Sequence, residues 1–326
     1  MRLGVLDVGS NTVHLLLLDV YPGSQPVPYA SHKTGLRLVR YLDALGNITD
    51  EGRDALTAFV LEARDFAADN DADDLLAFAT SAIREAGNGA AVLEHVQSRS
   101  GVTLTEISGD QEAAVTFLAV RRWFGWSAGR ILDLDIGGGS FEMAAGDNGL
   151  PDAAVSVPLG AARLTRRFIH GDAALPSETK RLRQHVTRLL GPAVETVRSA
   201  GEPDLTVGTS KSFRSLARIC GAAPRQDGPY VPRPMHLEDL RLWTRRMEAM
   251  TAAERRELPG VSESRAAQML AAGIVAETAM SMLAVQTLQI CPWALREGVI
   301  LRKLDRLNVD PEAVLNRPAE IVGRVS

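Results

Sequence analysis

Ile131-Leu132-Asp133-Leu134-Asp135-Ile136-Gly137-Gly138-Gly139-Ser140-Phe141-Glu142 is the stretch that decides the reading of the fold. Ile131 to Ile136 has the composition of a short strand bounded by glycines. An acid, Asp135, stands almost at its end, and three glycines and a serine follow. Glycine adopts positive φ without penalty and lets backbone approach a ligand closely. Successive N–H groups in such a turn form a cup for an anion. Alone, the pattern also fits an ordinary hairpin.

A second copy changes the balance. Leu3-Gly4-Val5-Leu6-Asp7-Val8-Gly9-Ser10-Asn11-Thr12 repeats the order of apolar strand, acid, apolar residue, glycine and small polar residues. The two acids lie one domain length apart. The chain therefore reads as two related halves, each opening with a strand and a phosphate-type turn. Turns facing each other would grip a phosphate chain from both sides, with Asp7 and Asp135 placed to hold a divalent metal.

Asp7 to His14 and Asp135 to Glu142 resemble the two phosphate motifs of the Ppx/GppA phosphatases. Three further segments match that family in order: Ala79-Thr80-Ser81-Ala82-Ile83-Arg84-Glu85-Ala86, Ser108-Gly109-Asp110-Gln111-Glu112-Ala113 and Ala294-Leu295-Arg296-Glu297-Gly298. The resemblance runs from residue 3 to about residue 304. It implies an α/β protein of two actin-like (ASKHA, ribonuclease H-like) domains with the active site in the cleft between them. The expected division is 1–128, 129–310 and a tail at 311–326. The implied activity is release of orthophosphate from the ends of inorganic polyphosphate. Guanosine pentaphosphate 5′-phosphohydrolysis is the alternative, and a small-molecule kinase is a more distant one. The implied ion is magnesium or manganese, and the implied assembly is a homodimer.

The resemblance places the catalytic carboxylate at Glu112. The residues alone also allow a plain helix-dipole acid there, because Ser108 and Gln111 make a capping box and Glu112 falls in the first turn. In that plain role an exposed acid is worth at most about 1 kcal/mol, so its loss would cost little stability. The family pattern has a second acid where this chain has Gln111. Arg84 follows a strand end and matches the family arginine, so it is read as a phosphate ligand. Gly9, Ser10, Asn11, Thr12, Gly137, Gly138, Gly139 and Ser140 form the two turns. Gly208-Thr209-Ser210-Lys211 makes a third glycine–serine turn before a helix, either a phosphate contact or simple capping. Lys211 lacks the flanking pattern of a Walker lysine. Asp7, Asp135 and Glu142 are the metal-ligand candidates.

Composition agrees with a globular chain: 326 residues, 45% hydrophobic and 23% charged. No apolar run is long enough to span a bilayer, and neither a membrane nor a nucleic-acid partner is expected. Cys220 and Cys291 are too few for a disulfide framework, which points to a reducing cytoplasm. The net charge of −4 argues against a polyanion only if charge is evenly spread. Nearly all the bases are arginine, clustered at Arg163, Arg166 and Arg167, at Arg181, Arg183 and Arg188, and at Arg241, Arg245 and Arg246. Such runs are mostly solvated helix faces. Helices are expected at 49–69, 90–100, 108–124, 176–190, 236–249, 262–286 and 293–305. The 108–124 helix is apolar on most of its surface and is expected between layers. The apolar helices of 262–305 exceed what one small domain needs, which would suit a dimer.

Overall fold

The computed structural model describes residues 1–21 and 27–307. The expected tail at 311–326 and most of the Tyr21–Ser24 hairpin closure lie outside the described residues. The first half contains β1 (Arg2–Val8), β2 (Val13–Asp19), β3 (Val27–Thr34), α1 (Asp50–Asp69), β4 (Asp74–Ala79), α2 (Ser81–Arg84), α3 (Gly89–Ser100), β5 (Thr105–Glu106) and α4 (Gly109–Phe124). The second contains β6 (Ile131–Ile136), β7 (Phe141–Gly146), β8 (Ala153–Val157), α5 (Ala161–Phe168), α6 (Pro176–Arg198), β9 (Leu205–Gly208) and α7 (Ser210–Ile219). It continues through β10 (Pro234–His236), α8 (Leu237–Glu248), α9 (Ala252–Arg256), α10 (Met269–Met282), β11 (Thr287–Ile290) and α11 (Leu295–Leu307).

The two sheets share one plan. The first runs β3-β2-β1-β4-β5; the second runs β8-β7-β6-β9-β11, with β10 added at its outer edge. In each, an antiparallel three-strand meander is followed by parallel strands reached by helical crossovers. The duplication read from the two acid–glycine turns is thus a duplication of whole domains.

Side-chain alternation along the first strand of each sheet sets the layers. Leu6 and Val8 of β1 pack with α1 and α3, whereas Leu3 and Val5 pack with Ile300 and Leu304 of α11. Leu132, Leu134 and Ile136 of β6 join the large core under α5 to α8 and α10, whereas Ile131 faces Ala113, Phe117 and Val120 of α4. So α4 leaves the first domain to cover the second sheet, and α11 returns from the second half to cover the first. They meet closely: a Cβ on Gly298 would stand 2.0 Å from the Val115 carbonyl oxygen. Asp7 and Asp135 share the strand faces that look into this middle layer. The expectation of a buried helix at 108–124 is met by α4.

Several boundaries differ from the sequence reading. The basic helix does not stop at Leu190 but runs as α6 through Gly191 and Pro192 to Arg198, anchored by buried Ala193, Val194 and Val197. Proline removes one helix hydrogen bond, and burial of that last segment outweighs it. The expected 262–286 helix begins at Met269 after a short 3₁₀ turn. The strands β10 and β11 are too short to show a period-2 pattern. The apolar surface of α10 is spent inside the protomer, where Leu270, Ile274, Val275 and Met280 are fully buried. It therefore gives no argument for a second protomer.

Candidate active site

The two glycine turns close identically. Gly9 N–H donates to the Thr12 carbonyl at 3.1 Å, and Gly137 N–H to the Ser140 carbonyl at 2.9 Å. They face each other across the domain boundary and touch. A Cβ on Gly138 would lie 2.9 Å from Ser10 Cβ, and one on Gly139 2.6 Å from Ser81 Oγ. None of Gly9, Gly137, Gly138 and Gly139 adopts left-handed φ. The glycines serve close approach, not the positive φ that their sequence suggests.

The start of α5 orients the second turn. The N–H groups of Gly160, Ala161 and Arg163 donate to the carbonyls of Gly139, Gly137 and Gly138 at 3.0–3.1 Å. The Arg163 side chain adds a bond from Nε to Gly139 O at 2.8 Å. With its carbonyls occupied, the turn has its Gly138 and Gly139 amides free of any internal acceptor among the described residues, which is the arrangement an anion cup requires. Ser10 Oγ and Ser81 Oγ share a bond at 2.9 Å. Asn11 and Gln268 exchange two amide bonds at 3.1 and 3.2 Å, and Arg163 pairs with Glu85. The Asn11–Gln268 and Arg163–Glu85 contacts clasp the domains across the cleft, whereas the Ser10–Ser81 bond lies within the first domain.

Four carboxylates converge behind the turns. Glu112, on the first turn of α4, is paired with Arg84 at 3.1 Å, both side chains about 15% exposed. Arg84 also donates to Ile107 O at 2.7 Å. The capping box that seats α4 is present, and its N-terminus sits tight on β8: a Cβ on Gly109 would meet Ser156 Cβ at 2.3 Å. Burial pushes the Glu112 carboxyl up to about 7, against the pull of Arg84 and with help from Asp135 and Asp7. Burial likewise raises Asp7 to about 6, opposed first by Arg296. Asp135 is raised by burial, although Thr209 Oγ1 donates to it at 2.7 Å. Glu142, 3% exposed, is raised well above the ordinary range by burial and then by Glu112 and Asp135. Its Oε1 accepts from Ser156 Oγ at 2.7 Å. Among the described residues no three His, Cys, Asp or Glu side chains converge closely enough to enclose an ion by themselves.

The third turn divides its work. Thr209 is fully buried, and its hydroxyl serves Asp135 and not a ligand. Gly208 packs beneath the Phe213 ring, with its Cβ position 2.9 Å from Phe213 Cγ. Ser210 adopts left-handed φ at 58° at the start of α7. Lys211 projects into a cavity of about 490 Å³ that also takes Lys33, Arg214, Arg218, Arg225 and Arg296 in its walls. Glu297 is the one acid among the lining residues. Burial and the surrounding cations lower the Lys211 ammonium to about 8. Trp123 and Trp293 form an aromatic wall of the same cavity. The arginine clusters singled out in the sequence contribute none of these cations.

Sequence reasoning missed Ser81, Ser156, Gln268, Arg214 and Arg296 as site residues. Arg296 and Ser81 lay within motif segments; Ser156 and Gln268 carry no local signal, because only the fold brings them to the cleft.

Residues 20–307 match the description of the Ppx/GppA phosphatase family. Exopolyphosphatase 1 of Mycobacterium leprae is 50% identical over 305 residues, covering 94% of this chain and 90% of that protein. The crystal structure of an exopolyphosphatase from Cytophaga hutchinsonii superposes with a TM-score of 0.83 at 24% identity, covering 94% of this chain and 98% of that one. A Ppx/GppA family member from Aquifex aeolicus gives 0.78 at 22% identity, with 94% and 99% covered. No helix among the described residues is long and apolar enough to cross a membrane. Two facing glycine turns, a carboxylate cluster between duplicated domains and a match over most of its length together show that this chain belongs to the Ppx/GppA phosphatase family.

Proposed function

We propose that the protein is an exopolyphosphatase that hydrolyses the terminal phosphoanhydride of inorganic polyphosphate. The observation that carries this reading is the position of Glu112. It is a carboxylate raised to about 7 by burial, held by Arg84, and close enough to Asp135 and Asp7, the acids of the two glycine turns, to be raised further by their charge. Phosphoryl transfer asks the protein mainly to position phosphates, neutralise charge and orient the nucleophile. The free amides of the turns hold the terminal phosphoryl group, and the cavity takes the chain behind it. Glu112 accepts a proton from water as the water oxygen bonds to the terminal phosphorus. The P–O bond to the rest of the chain breaks, and the shortened chain keeps the bridging oxygen. Relatives 50% identical to this chain carry the exopolyphosphatase name, which supports the assignment.

A divalent ion fits the donor set. Asp7 and Asp135 offer hard oxygens at the ends of equivalent strands, with Glu142 behind them, and all three are destabilised as anions by burial. Magnesium is commonly held by one or two carboxylates, waters and substrate phosphates, so a full protein cage is not needed. Bound there, it would neutralise phosphoryl charge.

A second reading, hydrolysis of guanosine pentaphosphate, draws on the aromatic wall. Trp123 is stacked on Tyr230 at 5.2 Å and meets Trp293 edge-on at 5.3 Å, a surface suited to a base. Phosphate release measured side by side from polyphosphates of defined length, guanosine pentaphosphate and ATP, with magnesium, separates the readings. Polyphosphate should be the best substrate, and absence of release from it overturns the proposal. In the same assay Lys211→Ala should raise KM and flatten its dependence on log salt by roughly one unit, as loss of one phosphate contact does for other polyanions. An unchanged salt slope would remove Lys211 from the chain-binding surface.

Arg84 has a distinct signature. It is an influence that lowers the Glu112 pKa, so Arg84→Ala raises that pKa further. The base form is then reached only at higher pH. The acid limb of kcat/KM should move alkaline, with rate at pH 7 lost and partly regained at pH 9. A limb that stays in place while KM rises would make Arg84 a phosphate ligand alone.

A further inference from the structure

His14 and Arg296 form a unit that the reaction outlined above does not use. His14 stands on β2 directly opposite Asp7 on β1. Arg296, at the start of α11, reaches over both. Its guanidinium is bonded to His14 Nδ1, and its Nε lies 3.9 Å from Asp7 Oδ2. A guanidinium only donates. His14 Nδ1 must therefore be the lone-pair nitrogen, which places the ring proton on Nε2. Nε2 is buried and has no partner among the described residues. Buried donors are almost always satisfied, so this one is an exception that a bound acceptor would resolve. His14 lines the basic cavity beside Thr12, Lys33 and Lys211, where the incoming groups are phosphoryl oxygens.

We propose that His14 is a neutral specificity residue whose Nε2–H donates to a phosphoryl oxygen of the bound chain, and that Arg296 is the positioning residue that fixes its tautomer. The role rests on the exopolyphosphatase reading for the identity of the ligand, but not for the geometry. A neutral donor does different work from the surrounding cations. It demands a correctly placed acceptor, whereas lysine and arginine attract any anion. The guanidinium that donates to Nδ1 keeps that nitrogen unprotonated, so the ring is neutral among the surrounding cations. Arg296 thereby ties this residue to Asp7, the acid of the first glycine turn.

Three variants and one spectrum test the pair. His14→Leu should raise KM for polyphosphate about tenfold or more, the scale of a lost bond to a charged group, while kcat changes less than threefold. Its salt slope should match wild type, because no counterion-releasing contact is lost. His14→Gln, which can return an N–H to about the Nε2 position, should restore KM to within about threefold of wild type. ¹⁵N-detected spectra of the imidazole should show the Nε2–H tautomer in the free protein and a shift of that nitrogen on adding tripolyphosphate. Arg296→Met should release the ring to a mixture of tautomers. An Nδ1–H tautomer, an Nε2 signal unmoved by bound tripolyphosphate, or a KM within twofold of wild type in His14→Leu overturns the proposal. The spectrum reads binding without turnover. A wild-type protein that binds tripolyphosphate at His14 but releases no phosphate would overturn the function and leave this assignment standing.

Discussion

Glu112→Gln should lower kcat by at least about a hundredfold, since a positioned general base contributes roughly 10²–10⁴ in rate. It should leave the melting temperature at pH 8 unchanged or raised. The rate loss follows from the chemistry: glutamine keeps the size and the bond from Arg84 but cannot accept the proton. The stability result reverses the simple expectation for a first-turn acid. An exposed carboxylate there gains from the helix dipole, and its removal costs up to about 1 kcal/mol. This one is buried, and Asp135 and Asp7 oppose its charge. Its pKa is raised from 4.5 to about 7. A group raised in this way contributes stability below its unfolded pKa, and that contribution is lost as pH rises through the folded value. At pH 8 the wild-type protein holds an unfavourable charge that the amide lacks; at pH 5 the difference shrinks. Steady-state kinetics and thermal melts at pH 5 and pH 8 check both parts. Retention of more than a tenth of wild-type kcat would remove Glu112 as the base. A melting temperature that falls equally at both pH values would mean that the Arg84 pair outweighs the burial cost.

The same residue marks what a sequence can and cannot carry. The two acid–glycine turns were legible because each is written in a single contiguous stretch with a chemical reason for every position. From their repetition followed the two related halves, whereas the common layer into which Asp7 and Asp135 look emerged only from the packing of α4 and α11. The capping box made the start of α4 legible to the residue. The sign of the Glu112 charge effect was not, because it depends on burial between two sheets far apart in sequence. The cation-lined cavity was hidden for the same reason. Its charges come from β3, α7, the loop after α7 and α11, which only the fold brings together, whereas the visible arginine clusters lie elsewhere. Arg183, for example, is engaged by Glu248 and Glu277 at 2.8 and 3.0 Å. Thr209 looked like a ligand because it sits in a glycine–serine turn, yet its neighbour across the sheet, Asp135, takes its hydroxyl. β11 was lost because four residues are too few to establish a period.

Gly160→Ala should cut kcat/KM by about a hundredfold and destabilise the fold by about 1–3 kcal/mol. Backbone strain is not the cause: Gly160 lies at φ −66° and ψ 145°, a conformation alanine adopts freely. The obstacle is space. Its Cβ would stand 2.2 Å from Gly139 C and 2.4 Å from both Gly138 C and Gly139 N. All three are backbone atoms of the phosphate turn, so no side chain can swing aside. Relief requires the turn or the start of α5 to move by about an ångström, which is enough to cost two orders of magnitude when reacting groups are held in place. The movement also breaks the bonds from Gly160, Ala161 and Arg163 that occupy the turn's carbonyls. The turn is then free to rotate its amides away from the cleft. The loss should therefore appear in both KM and kcat, and it should exceed the loss from removing any one cation of the cavity. Kinetics and chemical denaturation of Gly160→Ala measure the two effects. Activity within threefold of wild type would show that the amides of Gly138 and Gly139 do not hold the terminal phosphoryl group.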